Sequence, residues 1–324
     1  MLTRRHPSRI LVVALLTVAL AVGMVGPAAA RTLEPGLETQ LVNLTNQARA
    51  AHGLRGLPVE LQLTRVARDW SNTMASRQEL SHRPRLSSVI DGNWQRIGEN
   101  VGVGPSVERI QQAFMDSPGH RANVLGDYDR IGVGIYEQDG RLWITVNFLK
   151  GSGDFPVFQD VRTNTHRTNV EGLFARGTTL GCSFDRYCPS AGVTRGQMAT
   201  FLARELGLSP KNGGFRDVPS SHPHAGAIGA LAAAGITTGC GSNKFCPEDR
   251  VNRAQMATFL RRAKGLPETA PSGLSDVPSS HTHAGSIGAL QKAGITQGCT
   301  STRYCPTDGV TRAQMATFLQ RSFA

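Results

Sequence analysis

Residues 181–202 read GCSFDRYCPSAGVTRGQMATFL; the frame returns at 239–260 as GCGSNKFCPEDRVNRAQMATFL and at 298–319 as GCTSTRYCPTDGVTRAQMATFL. The windows begin 58 and then 59 residues apart, and together they hold all six cysteines of the 324-residue chain. Such self-similarity predicts a repeat architecture. A unit of this size with two short helices buries little surface alone, so three copies must pack into one module. Cys182 and Cys188, Cys240 and Cys246, and Cys299 and Cys305 each enclose five residues. Pairing within each loop is expected, provided that the chain reaches an oxidising compartment.

The first thirty residues supply that condition. Arg4, Arg5 and Arg9 precede an uncharged run from Ile10 to Val25, and Ala28-Ala29-Ala30 closes it. This is the order of a secretory signal peptide cleaved after Ala30, and its apolar run is shorter than the ~20 residues needed to cross a bilayer. No later stretch is long enough to span a membrane, so the mature protein is expected outside the cytoplasm, secreted or held at the wall. With 40% hydrophobic and 18% charged residues the chain is too apolar to be wholly disordered. Its net charge is +11, or +8 without the leader, and the excess is uneven. Residues 31–152 carry 14 Lys and Arg against 13 Asp and Glu, whereas residues 153–324 carry 18 against 11. A basic extracellular module favours anionic partners. Too few aromatic residues are interleaved for single-strand nucleic-acid binding, so nucleic acid is not expected as a partner.

Each window extends backwards into an opening motif: Phe158-Gln159-Asp160-Val161, Phe215-Arg216-Asp217-Val218 and Leu274-Ser275-Asp276-Val277. An Ala- and Gly-rich helix follows, at 225–231 in the second copy and 284–290 in the third. Thr194, Asn252 and Thr311, with Gln197, Gln255 and Gln314 three residues on, form capping boxes that start a second helix. The arginine between them opposes the helix dipole. Arg195, Arg253 and Arg312 are therefore candidates to pair with an anionic ligand or with Asp160, Asp217 and Asp276 of the opening motifs.

Residues 34–152 read differently. Leu37, Leu41, Leu44 and Ala48, then Leu63, Val66, Ala67, Trp70 and Met74, recur at helical spacing, and Ser106 caps a third helix that Pro118-Gly119 stops. Ile131 to Tyr136 and Leu142 to Phe148 flank Asp139-Gly140 as a β-hairpin. Helices before a short antiparallel sheet indicate an α+β or three-layer α-β-α domain. His82, Glu99 and His120 stand in turns or at element ends, where two imidazoles and a carboxylate can hold a divalent metal such as zinc or act as acid and base. No nucleophile with a base partner accompanies them.

Leu44-Thr45-Asn46-Gln47-Ala48-Arg49, Ser81-His82, Gly98-Glu99-Asn100-Val101, Ser117-Pro118-Gly119-His120-Arg121 and the closing hairpin, in that order, resemble the CAP superfamily of cysteine-rich secretory, antigen 5 and plant pathogenesis-related 1 proteins, in its cysteine-poor bacterial form. The resemblance implies an α-β-α sandwich whose cleft holds a His, Glu, Glu, His set. His82, Glu99 and His120 match three of these; where the second Glu is expected stands Phe114-Met115-Asp116-Ser117. It further implies divalent-cation binding in the cleft and lipid or small-ligand binding elsewhere, without an established general activity. Metal-assisted hydrolysis of wall or protein substrate is the enzymatic alternative.

The Phe-x-Asp-Val opening, the Gly-Ile turn and the Thr-Arg-Ala-Gln start resemble the S-layer homology domain, three copies of which anchor exported proteins to wall polysaccharide. The cysteine-bearing form is similar to a variant of exported actinobacterial proteins. The resemblance implies that Arg195, Arg253 and Arg312 contact an anionic saccharide. Gln replaces the usual Glu, and His166, His224 and His283 stand where Trp is common, so the family's usual pyruvylated ligand does not carry over. The expected layout is thus a leader at 1–30, a CAP domain at 34–152 and repeats at 153–210, 211–268 and 269–324. The expected function is a wall-anchored protein that binds a ligand or divalent metal, with metal-assisted hydrolysis and an adhesin whose repeats bind protein as the alternatives.

Overall fold

The computed structural model describes residues 31–324, and the expected leader lies outside the described residues. The alternation of large and small side chains at 131–136 and 142–148 demands a two-faced hairpin. Strands β3 (Arg130–Gln138) and β4 (Arg141–Ser152) form it, with Val133 opposite Val146 and Ile135 opposite Ile144. Asp139 and Gly140, both at positive φ, make its two-residue turn. Strands β1 (Thr32–Leu33) and β2 (Asn93–Gly104) complete an antiparallel sheet of order β1-β3-β4-β2.

One face of the sheet packs Ile131, Val133, Ile135, Ile144 and Val146 against Leu41 of α1 (Pro35–Ala51), Ile110 and Phe114 of α3 (Val107–Asp116) and Val124 of α4 (Pro118–Val124). The other face meets α2 (Leu61–Arg77), where Trp70 and Met74 pack with Tyr136 and Trp143, and Leu63 and Val66 with Leu149. Gly132 and Gly134 lie under α2 because the helix crosses there. A Cβ on either would run into its backbone, at Leu63–Thr64 and at Ala67–Arg68. The sheet is therefore the middle layer of an α-β-α sandwich.

Two elements differ from the sequence reading. Pro118-Gly119 opens α4 instead of only ending α3, because proline at the first helical position forgoes an N–H that has no partner anyway. Glu99 stands in the middle of the twelve-residue β2, not in a turn or at an element end. Gly98, Gly102 and Gly104 mask the strand pattern there; the first leaves room for Tyr128, the other two for Ile110.

The remaining residues form a helical ring from α5 (Arg167–Ala175), α6 (Arg195–Glu205), α7 (Ala225–Ala233), α8 (Arg253–Ala263), α9 (Ala284–Lys292) and α10 (Arg312–Phe323). α6 packs on α7, α8 on α9, and α10 returns to α5. At the centre three buried valines close a cycle of backbone hydrogen bonds: Val193 N–H to Val310 O, Val310 N–H to Val251 O, and Val251 N–H to Val193 O, each 2.9 Å. Capping boxes start α6, α8 and α10. Disulfides join Cys182 to Cys188, Cys240 to Cys246 and Cys299 to Cys305. For loops this short, chain-entropy reasoning gives about 2 kcal/mol each.

Sandwich and ring belong to one unit that includes residues 31–324. Phe155, just past β4, joins the cluster of Leu63, Val66 and Leu149. Arg68 of α2 pairs with Glu38 of α1 (2.6 Å) and donates to Phe174 O (2.6 Å) and Ala175 O (3.1 Å) at the end of α5. Arg65 donates to Phe184 O (3.1 Å) while its guanidinium stacks on the Phe184 ring.

Candidate functional site

The sandwich and the ring each hold predicted site residues. In the sandwich, His82 follows α2 in an irregular segment, Glu99 projects from β2, and His120 is the third residue of α4. Glu99 Oε1 accepts from His82 Nδ1 (2.8 Å) and from the Arg83 backbone N–H (2.9 Å). Its side chain is 6% exposed against 64% for His82, and its Oε2 is buried without a hydrogen-bond partner. With Nδ1–H donated to the carboxylate, His82 presents Nε2 to solvent as a lone pair. Glu99 Oε1 thus stands behind the imidazole and orients it. His120 lies beside Phe114, with ring centroids 5.2 Å apart. Burial, and then the nearby His82, push its imidazole below the usual histidine value. Among the described residues, no three His, Cys, Asp or Glu side chains are grouped to hold a metal ion. Asp116 accepts from Gln112 Nε2 (2.8 Å) one turn back on α3. A cavity of about 940 Å³, between Arg55, Val59, Tyr128 and Arg130, contains none of the predicted residues.

The sequence reading missed what positions this cleft. Asn100 Nδ2 donates to His120 O (3.0 Å), and Asn123 Nδ2 to Glu99 O (3.1 Å) and Asn100 Oδ1 (2.9 Å), while Tyr128 OH donates to Asn123 Oδ1 (3.1 Å). These bonds tie α4 to β2. Arg83 is held by Asp69 (2.6 Å), over Trp70 and Phe184.

In the ring, Arg195 Nε donates to Phe245 O in the following copy (2.7 Å) and its backbone N–H to Asp249 O (2.9 Å). Its guanidinium lies over Phe245 and Phe259. Arg253 repeats this with Tyr304 O and Asp308 O, and Arg312 closes the cycle on Tyr187 O and Ala191 O. These residues are only 5%, 7% and 7% exposed, and Nη2 of each is buried without a hydrogen-bond partner. Burial lowers the guanidinium pKa of Arg195 and Arg312; Asp249 and Asp217 oppose this at the first, Tyr187 and Asp160 at the second. Both stay charged.

The alternative partners expected for the arginines are engaged elsewhere. Asp160 accepts from the backbone N–H groups of Tyr187 and Cys188, Asp217 from Phe245 and Cys246, and Asp276 from Tyr304 and Cys305, all at 2.8 Å. Burial raises Asp217 and Asp276, but the backbone donors outweigh it and hold both below the usual carboxylate range. These bonds fix the disulfide loop that presents the carbonyl to each arginine.

A second set of arginines went unnoticed in the sequence. Arg204, Arg262 and Arg321 each stand nine residues after a buried arginine. They reach Thr178 O, Ile236 O and Ile295 O only at 3.4–3.5 Å. Their signal was positional recurrence. Between copies three and one, Arg253, Arg321, His166, Gln314 and Phe318 line a groove of about 220 Å³ that no carboxylate lines.

Residues 42–148 match the model of the cysteine-rich secretory protein family, CAP, and residues 214–257 and 273–316 match the S-layer homology domain. The first copy of the ring lies outside that match. A cell surface protein of Thermoanaerobacter kivui is 35% identical over 114 residues, covering 33% of this chain and 15% of that protein. The uncharacterized protein YkwD of Bacillus subtilis is 33% identical over 115 residues, covering 33% and 44%. A solved extracellular protein of Bacillus anthracis containing an SCP domain is 28% identical, with 36% of this chain and 41% of that one covered and a TM-score of 0.33. This chain spans less than half the length of each of these proteins.

Proposed function

We propose that this chain, a CAP domain followed by S-layer homology repeats, is an exported cell-surface protein that grips anionic wall polymer with its ring and offers the CAP cleft as a binding surface. The observation that carries the anchoring reading is the orphaned Nη2 of Arg195, Arg253 and Arg312. A buried donor left unpaired costs about 1–3 kcal/mol, and more when it is charged. Three equivalent copies of that cost are accounted for if a ligand brings the acceptor. A basic ring with no carboxylate lining its groove between copies three and one suits an anionic polymer, and three equivalent arginines in one ring would let a repeating polymer bind with avidity. The name of the Thermoanaerobacter kivui relative, a cell surface protein, is in keeping with this.

The test is retention of the mature chain on purified cell walls, at low salt and again at high salt. Retention at low salt that weakens as salt screens the charges is expected. No retention at low salt overturns the anchoring reading.

For the cleft, two imidazoles with Glu99 behind one of them favour a cation or small-ligand site completed by solvent. A catalytic zinc site uses three protein ligands and an open position. Bound divalent metal would rest on His82 Nε2 and the His120 imidazole, and it would supply charge to orient an anionic ligand. Calorimetric titration with zinc should give weak binding that His120→Ala abolishes; equal binding by that variant would sink the reading.

A further inference from the structure

Each junction between copies of the ring also holds an imidazole that the anchoring reading leaves unused. His224 Nδ1 lies 2.8 Å from Thr200 Oγ1, His283 Nδ1 2.7 Å from Thr258 Oγ1, and His166 Nδ1 2.6 Å from Thr317 Oγ1. Each bond joins the start of one copy's first helix to the second helix of the copy before it, with α10 reaching round to α5. The threonines are also held by Ser286 Oγ (3.1 Å, Thr258) and Asn169 Nδ2 (2.7 Å, Thr317), which fix them beside the imidazoles. Where the histidine donates Nδ1–H to its threonine, the neutral ring shows a lone pair at Nε2. A lone pair repels an anion; a protonated Nε2 donates to one.

We propose that each junction is a proton-linked anion site: the imidazole takes up a proton as an anionic group of the wall polymer enters, so the ring grips more tightly as pH falls. The proposal rests on the anchoring reading and adds its regulation. The charges around each ring set the sign. His166 shares its groove with Arg253 and Arg321, while Arg167 on its own helix is paired with Glu171 and Asp154. His224 faces His222, Arg204 and Glu248, the last in contact with His222, on the side of Arg312 and Phe201. His283 faces His281 and Arg262, with Arg261 tied to Glu268 and Ser286, on the side of Arg195 and Phe259. Cations dominate the surroundings of His224 and His283. Burial and these neighbours hold His224 and His283 below the ordinary value. An anion on the orphaned Nη2 offsets the guanidinium charge and gives the imidazolium an acceptor, which reverses the balance.

The experiment is calorimetric titration of the mature chain with a glycerol-phosphate oligomer, whose phosphodiesters keep their charge from pH 5.5 to 8. Each pH is run in two buffers of different ionisation heat, which counts protons. Tightening of about tenfold between pH 8 and 5.5 is expected, the equivalent of one unit of pKa shift, with net proton uptake. Both should vanish in the H166Q/H224Q/H283Q variant. The proton count on the unmodified chain is decisive even if that variant does not fold. Equal affinity at both pH values without uptake overturns the proton linkage and leaves anchoring intact. Absence of binding at both overturns the two together.

Discussion

The sandwich and the ring treat buried arginine in opposite ways. Arg68 is 3% exposed and fully engaged, by both oxygens of Glu38 and by two carbonyls of α5. Arg195, Arg253 and Arg312 are buried almost as deeply, yet each is answered by one carbonyl and two aromatic faces, with no carboxylate and one nitrogen left over. A guanidinium neutralised on all sides is a structural rivet. One held by a carbonyl and aromatic faces retains a charge with no carboxylate bonded to it. Burial alone does not separate these roles; the inventory of acceptors does.

That contrast can be broken by mutation. The largest effect is expected at Arg68→Ala, which strands Glu38 in the interior and should cost about 3–5 kcal/mol in chemical denaturation. Replacing both partners by apolar residues, Arg68→Met with Glu38→Leu, should recover most of it. Equal losses for single and double variants would show that the pair is not the rivet described. Arg253→Met keeps most of the packing volume but loses the bond to Tyr304 O, and about 2 kcal/mol is expected from one charge-assisted hydrogen bond. Its wall retention should fall more than its stability does, whereas a variant that grips walls as well as the parent would place Arg253 with Arg68.

The smallest effect concerns pH. Folded His224 and His283 are held below the ordinary imidazole value, chiefly by burial. In the unfolded chain they titrate near 6.5, so below about that pH the unfolded state binds more protons and the empty ring loses stability as pH falls. Tm measured without ligand should decline between pH 7.5 and 5 and flatten in H224Q/H283Q. A flat profile in the parent would contradict the burial of these rings.

What could be read from the sequence was mostly local. The Thr194, Asn252 and Thr311 capping boxes and the three disulfides depend on residues close together in the chain, and they stand where the motifs put them. The hairpin register followed from the alternation at 131–148. Strand β2 was hidden because its pattern is set by what packs onto it: glycines at 98, 102 and 104 carry no hydrophobic signal of their own. The site was legible as a set of residues and not as a set of roles. His82 and Glu99 do meet, but only the fold reveals that Glu99 Oε1 is taken up by Nδ1 and the Arg83 amide. The partner of each ring arginine is a backbone carbonyl about 50 residues onward, or 125 residues back for Arg312, and a carbonyl has no sequence signature.

The triangle of Val193, Val251 and Val310 has one further consequence. An open solenoid can gain or lose units at its ends, and it needs special terminal units to shield them. Three amide-to-carbonyl bonds that each satisfy the next leave no vertex for a fourth strand of chain and no free end to shield. Copy number in this protein is therefore a matter of closure, fixed by backbone geometry.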